Sequence, residues 1–320
     1  MSYSRKNVEA VRLEFEARRV NAENDRENRL NIVYDKIPEL ISIDAELSKT
    51  GLKIMDAVMG GKDVYNEKIG QIKEESQALS KKRGDLLEAN GFSRDFTDYR
   101  YICSNCSDYG FRDGKMCACY KEALIKKQYE SSGLGKLLDT QSFNTFSLDY
   151  YTEKEEMSEL VSYLKDYVES FDDVCKNLLF VGGTGLGKTH LSTAIAKALI
   201  EKGHNVVYET AQNIFADFEK DRFRDHYDQS YEMLGDKYLE AELLIIDDLG
   251  AEMVTSYSVS CLYNIINTRV NRGLPIIAST NLASAEIRKI YNDRITSRLF
   301  GEFSIKKFVG SDIRKINKKI

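Results

Sequence analysis

The sequence predicts an α/β fold: a parallel sheet flanked by helices, preceded by an α-helical region and a small cysteine-bearing module. Three observations predict it. From Thr152 onward, short β-branched or leucine-rich strands alternate with helical patterns, as in a parallel sheet with helices on its faces. From Ser4 to about Arg94 the chain is dense in Glu, Lys, Arg and Asn, holds a single proline, Pro38, and repeats apolar residues at helical intervals. Between these regions, four of the six cysteines lie close together at Cys103, Cys106, Cys117 and Cys119. The expected organisation is a helical domain over 1–98, a four-cysteine module over 99–125, a linker over 126–151 and an α/β domain over 152–320.

In the helical region Ile37, Leu40, Ile41 and Ile43 begin one apolar stripe, and Leu52, Met55, Val58 and Met59 continue it up to Gly60 and Gly61. Val64, Ile69, Ile72, Leu79, Leu86 and Leu87 form a second. The pattern is that of a helical hairpin behind a more polar helix. Each apolar face must be buried against the other or against a partner; a solvated spacer and a partner-binding domain both fit the composition.

In the cysteine block, Cys103-x-x-Cys106 and Cys117-x-Cys119 flank a stretch from Tyr109-Gly110 to Gly114 able to form a hairpin. Four thiolates suit a closed, structural zinc site. An iron–sulfur cluster or a small core of reduced thiols would use the same residues. So short a segment has almost no core of its own, so a bound metal would supply most of its folding free energy. Cys175 and Cys261 stand apart in apolar surroundings.

The α/β region opens with Leu178, Leu179, Phe180 and Val181, a buried strand, followed by Gly182, Gly183, Thr184, Gly185, Leu186, Gly187, Lys188, Thr189 and His190, and then the helical LSTAIAKALIEKG. Strand, glycine-rich loop and helix together satisfy the G-x-x-x-x-G-K-[ST] phosphate-loop pattern. The glycines let backbone amides turn onto phosphate oxygens, and the helix N-terminus adds a positive dipole end. Lys188 is expected at the β and γ phosphates of ATP and Thr189 at magnesium.

In LLIIDDLG a strand of four aliphatic residues ends in Asp247 and Asp248, where packing alone gives no reason for paired acids. Asp247 is expected to hold magnesium and Asp248 to orient the attacking water. A further strand, Leu274 to Ala278, closes on Ser279, Thr280 and Asn281, and Asn281 is placed to touch the γ phosphate or that water.

With these motifs assembled, the chain resembles the DnaC and DnaI type helicase loaders, a branch of the AAA+ ATPases that also includes the IstB transposition helpers. LLFVGGTGLGKTHL, LLIIDDLGAE, IINTR, PIIASTNL, YNDRITSRL and VGSDIRK stand in family order from Leu178 to Lys315. KIPELISID and the cysteine block resemble the loader branch rather than the transposition branch. The resemblance implies oligomer-dependent ATP hydrolysis, a homo-oligomer formed with ATP, and binding to single-stranded DNA and a DnaB-type replicative helicase, the latter through the N-terminal domain. It makes Asn281 a sensor 1 residue, Arg298 an arginine finger reaching the neighbouring subunit's ATP, Arg294 its assistant and Arg314 sensor 2. The stretch after Arg298 is shorter than a three-helix AAA+ lid, a departure from the wider family.

Composition bounds the remainder. The 320 residues are 42% hydrophobic and 30% charged, globular proportions with room for two or three domains. A net charge of −5 excludes a nucleic-acid coat that binds by overall charge, so any DNA contact is local. A candidate is TAQNIFADFEKDRFRDHY, where Phe215, Phe218, Lys220, Arg222, Phe223 and Arg224 mix aromatic and basic groups. No apolar run approaches the roughly 20 residues of a membrane helix, and Arg5, Lys6 and Glu9 stand where a signal peptide would be apolar. A cytoplasmic protein without membrane association is expected. A transposition helper and a nucleotide-gated adaptor with little hydrolysis remain as alternatives to the loader.

Overall fold

The structure, a computed structural model, describes residues 3–59, 62–173, 176–223 and 233–313. The chain divides into two compact units, Arg12–Tyr120 on the one hand and Met1–Val11 with Lys121–Ile320 on the other.

The Arg12–Tyr120 unit is built from most of a long helix α1 (Arg5–Lys36), then α2 (Glu39–Ser48), α3 (Thr50–Met59) and α4 (Lys62–Ala89). Pro38 separates α1 from α2, since proline cannot donate within a helix and restricts the residue before it. Val33, Ile37, Leu40, Ile43 and Leu87 form the helical core. At its rim Arg83 donates to both carboxylate oxygens of Asp44, at 2.6 and 3.2 Å, and to Thr97 Oγ1 at 2.7 Å. The first expected stripe is only half buried: Leu52, Met55 and Val58 on α3 are exposed, Leu52 by 65%. The small side chain of Ala57 takes the inward position on α3 and leaves the larger apolar groups outside. A hairpin, β1 (Phe111–Arg112) and β2 (Lys115–Met116), follows.

In the larger unit, α5 (Ala118–Ser131), whose first turn belongs to the smaller unit, and α6 (Leu137–Thr140) lead through a 3-10 turn at Leu148–Tyr150 to α7 (Lys154–Glu169). Then come β3 (Asn177–Val181), α8 (Lys188–Lys202), β4 (Val206–Thr210), α9 (Ala211–Arg222), α10 (Asp236–Glu240), β5 (Leu243–Asp247), α11 (Ser256–Asn271), β6 (Ile276–Thr280), α12 (Ser284–Ile290), α13 (Asp293–Gly301) and β7 (Phe303–Lys307). The sheet order is β4-β5-β6-β3-β7, and every neighbouring pair is parallel. This is the expected fold class.

Alternate side chains of β3, β4, β5 and β6 enter opposite cores, the reason for their apolar runs, whereas the edge strand β7 buries only Phe303. Leu178 and Phe180 pack with Leu191 and Ile195 of α8 and Leu164 of α7. Leu179 packs on the other face with Leu262 and Ile265 of α11 and Leu299 of α13. Strand β6 starts at Ile276, two residues later than the sequence suggests, and runs on through Ser279 and Thr280. Pro275 has no N–H for a ladder. The arginine of IINTR, Arg269, is fully buried and donates to the carbonyls of Tyr238 and Pro275, both at 2.8 Å, tying α11 to α10 and to the residue that leads into β6.

The stretch read as a linker, 126–151, packs on this sheet through the buried Leu134, Leu138 and Tyr151. It also covers the outer edge of β4. Tyr208 N–H donates to Ser132 O at 2.7 Å. Gly133, at φ +83°, lies so near that a Cβ there would stand 2.2 Å from Tyr208 O. Because β3, β5 and β6 run in one direction, their C-terminal ends bring Gly182, Asp247 and Thr280 to one edge of the sheet, where parallel α/β folds bind ligands.

Candidate nucleotide-binding site

The glycine-rich loop owes its shape to positions no other residue fills. Gly185 and Gly187 take φ of +73° and +84°, and Gly187 caps α8. A Cβ on Gly187 would fall 2.6 Å from the Tyr151 hydroxyl and 2.9 Å from a Phe146 ring carbon. Tyr151 in turn donates to Leu186 O at 2.9 Å, and burial pushes its phenol up to about 12. Within the loop, the buried Lys188 ammonium donates to Gly182 O, Gly183 O and Asn281 Oδ1, each at 2.7 Å. A cation enclosed by carbonyl oxygens, at the N-terminus of a 15-residue helix, suits an anionic ligand carrying several oxygens.

The strand ends complete the site. Thr189 Oγ1 donates to Asp247 Oδ2 at 3.1 Å. Asp247 is buried and also accepts from the Tyr208 and Ser279 hydroxyls, which engage Oδ2 and Oδ1 respectively. Burial and then the charge of Asp247 push the Tyr208 phenol far above its usual range, so it donates. Asp248 leaves the strand at φ +53°, is exposed, and donates its N–H to Ser279 Oγ at 3.1 Å. The two acids therefore face different surroundings, because Asp247 ends β5 and Asp248 lies beyond it in a left-handed turn. Oxygen donors at Thr189 and Asp247, next to a loop fit for phosphates, form a donor set that suits magnesium.

Behind Asp248 the turn is fastened by residues that the sequence reading did not single out. Glu252 is buried; its Oε2 accepts from Gly250 N–H at 2.7 Å and its Oε1 from the Tyr291 hydroxyl. Burial, and then the Glu252 carboxylate, push the Tyr291 phenol well above its usual range. Tyr291 caps the end of α12, one residue ahead of the Asn292 cap of α13, which carries the exposed Arg294 and the half-buried Arg298. Arg298 Nη2 donates to Asn267 Oδ1 at 2.8 Å, and Nη1 lies 3.6 Å from Glu302 Oε1. Arg314 and Arg224 lie outside the described residues. His190 faces away from the loop: its Nε2 is 2.9 Å from Ser142 O and 3.2 Å from Thr145 Oγ1.

The signal for the missed residues is faint. Tyr208 stands near the end of NVVYE and Glu252 in LGAE, and neither carries spacing that marks it. On the proposed DNA segment, Phe215 is core rather than surface, and Phe218 packs on Tyr238 with ring centroids 6.0 Å apart. Lys220, Arg222 and Phe223 are exposed, Phe223 by 75%, and the Arg222 guanidinium lies 5.3 Å from the Tyr257 ring centre.

In the smaller unit the four cysteine sulfurs lie within 4.8 Å of one another, none in a disulfide. Cys103 and Cys117 are 3.9 Å apart, Cys106 and Cys119 3.5 Å. A tetrahedron with zinc–sulfur bonds of about 2.3 Å has edges of about 3.8 Å, which these two separations bracket, so the four sulfurs could hold a metal ion of that size. The buried Asp108 carboxylate holds the first knuckle by accepting from Ile102 and Cys103 N–H, at 2.8 and 2.9 Å. The Cys119 N–H and then the Asn105 amide bring the Cys117 thiol down to about 6, whereas burial, followed by the Cys106 sulfur, pushes Cys119 up.

The phosphate loop and its opposing aspartate on a parallel sheet define a nucleotide-binding α/β protein, and residues 125–300 match the family model of IstB-like ATP binding proteins. The chain belongs to that family. The replicative helicase loader DnaC of Escherichia coli strain K12 is 28% identical over 175 residues, covering 55% of this chain and 69% of its own. Among solved structures, a DnaC helicase loader aligns with a TM-score of 0.46 at 21% identity, over 55% of this chain and 99% of that one. DnaI aligns with a TM-score of 0.46 at 18% identity, over 57% and 95%. Among the described residues no helix is long and apolar enough to cross a membrane.

Proposed function

We propose that this protein is an ATP-hydrolysing loader of a replicative helicase onto single-stranded DNA. The observation that carries the reading is the meeting of Lys188 with Asn281 and of Thr189 with Asp247, which Asp248 follows, at the C-terminal edge of a parallel sheet. The loader name of the DnaC relative favours this function over that of a transposition helper.

In the proposed reaction Lys188 exchanges its carbonyl partners for the β and γ phosphate oxygens of ATP. The backbone amides of Gly182 to Thr189 cradle the phosphates, and His190 ties the start of α8 to the 142–145 turn. Thr189 and Asp247 are the residues to hold magnesium, which supplies charge neutralisation of the phosphate oxygens when bound. Asp248 orients a water for attack on the γ phosphorus. As the new P–O bond forms, the bond to the bridging oxygen breaks, and ADP and phosphate leave. Asn281, released from Lys188, is positioned as the sensor of the γ phosphate or that water. Arg298 acts on the ATP of a neighbouring subunit with Arg294 assisting, and Arg314 serves as sensor 2 within its own subunit. Turnover then requires a homo-oligomer.

The helical domain over 1–98 is the proposed helicase contact, and the 99–125 module a structural zinc site on Cys103, Cys106, Cys117 and Cys119. Lys220, Arg222 and Phe223 are the proposed DNA-facing groups of α9. The deciding experiment mixes the protein with the DnaB-type helicase of its host and measures the mass of the complex with and without ATP and single-stranded DNA. A stable complex that transfers helicase onto DNA supports the loader. Nucleotide binding with no helicase complex overturns it.

A further inference from the structure

We propose that Tyr208 is a positioning residue for the cation side of the nucleotide site, fixing the Asp247 carboxylate so that Thr189 presents its oxygen lone pairs to magnesium. The proposal rests on the reading of Thr189 and Asp247 as the magnesium pair.

Tyr208 is held along both its backbone and its side chain. Its N–H donates to Ser132 O, and its carbonyl lies beneath Gly133, where no side chain fits. The phenol then crosses from β4 to β5. Thr210 is paired with Asp247, so Tyr208 stands two residues back on the same face, a diagonal neighbour within reach of an aromatic side chain. Its hydroxyl meets Oδ2, the oxygen that also accepts from Thr189, while Ser279 occupies Oδ1. On the opposite side Ile246 pairs with Ala278, which sets Asp247 beside Ser279.

The consequence is geometric. With both oxygens engaged by hydroxyls from the strands on either side, the carboxylate plane cannot turn without breaking a buried hydrogen bond. A fixed Oδ2 draws the Thr189 proton toward itself. A hydroxyl has one proton and two lone pairs, so those lone pairs stay directed away from Asp247. Without the phenol, Oδ2 loses one of two donors and the carboxylate gains freedom to rotate. The Thr189 hydroxyl then has no fixed acceptor. Groups that orient a metal's direct ligands typically cost about 10- to 100-fold in metal affinity when removed.

The test is a binding measurement with a fluorescent ADP analogue, made first in EDTA and then across a magnesium titration, on the full chain and on Tyr208→Phe and Tyr208→Leu. Tyr208→Phe keeps the ring in the core and removes only the hydroxyl. It is expected to bind the analogue in EDTA within about twofold of the parent and to need about tenfold more magnesium for half-saturation. Tyr208→Leu removes the ring as well and is expected to lose thermal stability in addition. A magnesium half-saturation in Tyr208→Phe equal to or below the parent's overturns the proposal, as does a fall in EDTA affinity that matches that of Tyr208→Leu. Parent protein that binds the analogue with no response to magnesium overturns the underlying magnesium assignment, a result visible before any variant is made.

Discussion

Replacing Arg298 by alanine separates an assembly-dependent ATPase from a self-sufficient one. Within its own chain Arg298 makes a 2.8 Å bond to Asn267 and a looser 3.6 Å pairing with Glu302, and its side chain is about a third exposed. Partly exposed contacts of this kind contribute about 1 kcal/mol in total, a shift of roughly 2–4 °C in Tm. Folding therefore survives the change. An arginine reaching a neighbour's ATP is worth roughly 10³ to 10⁵ in rate, because it neutralises charge that develops only in the transition state. Arg298→Ala should accordingly bind ATP as the parent does and turn it over at least about 10³ times more slowly, with DNA and helicase present. Mixing it in equal amounts with Lys188→Ala sharpens the test. In a head-to-tail oligomer about one interface in four then joins an intact Lys188 to an intact Arg298, so about a quarter of the parent activity should return. Steady-state phosphate release on the mixture, with mixed oligomers verified by mass, is the assay. If the mixture stays as inactive as its components, the arginine does not act across an interface, and its role is confined to holding Asn267 and Glu302.

Further outcomes follow from the same contacts. Lys188→Ala should lose tight nucleotide binding, measured by titration with a fluorescent analogue, while helical content is unchanged. One zinc per chain should appear in elemental analysis of the freshly purified protein and fall below half an equivalent in Cys106→Ser; parent protein without zinc would remove the site. Tyr291→Phe deprives the buried Glu252 of a hydrogen bond and should cost about 1.5–3 kcal/mol in chemical denaturation, whereas an unchanged midpoint would show that the bond carries no stability. Gly133→Ala forces a Cβ to within 2.2 Å of Tyr208 O at a positive φ and should destabilise by about 2 kcal/mol or more on the same assay.

What the sequence makes legible is what lies contiguous in it. Gly182 to Thr189 are neighbours in the chain and in space, because a phosphate loop is a single turn between strand and helix. Asp247 and Asp248 stand out because acids are rare at the end of a buried aliphatic strand. Tyr208, Ser279, Glu252 and Tyr291 meet them only through strand order and turn geometry, and a tyrosine in a strand reads as core packing until its hydroxyl has a partner. Ser279 is legible as a polar strand end, but its bond to Asp247 is not, since without the register nothing in the sequence sets the two strand ends side by side. The apolar stripe of α3 was legible while its exposure was not, since periodicity tells which residues share a face and says nothing of what covers it. The stretch from Leu134 to Tyr151 lacks any period, and its burial depends on the shape of the sheet it meets.

The Ser132–Gly133 cap on β4 also decides where the chain can be cut. The alternating pattern invites a truncation at Thr152, yet such a fragment would strip the cover from an edge strand and expose its N–H and C=O groups. Uncovered edges pair with the edges of other chains. It would also empty the places of Leu134, Leu138 and Tyr151 in the core. A fragment beginning there would be driven toward aggregation while still containing every residue of the phosphate loop, and its failure to bind ATP would say nothing about Lys188. A fragment for biochemical work has to keep the chain from Lys121 onward, and the larger unit also takes in Met1–Val11, whose Asn7 donates to Gln128 and Ser131 of α5.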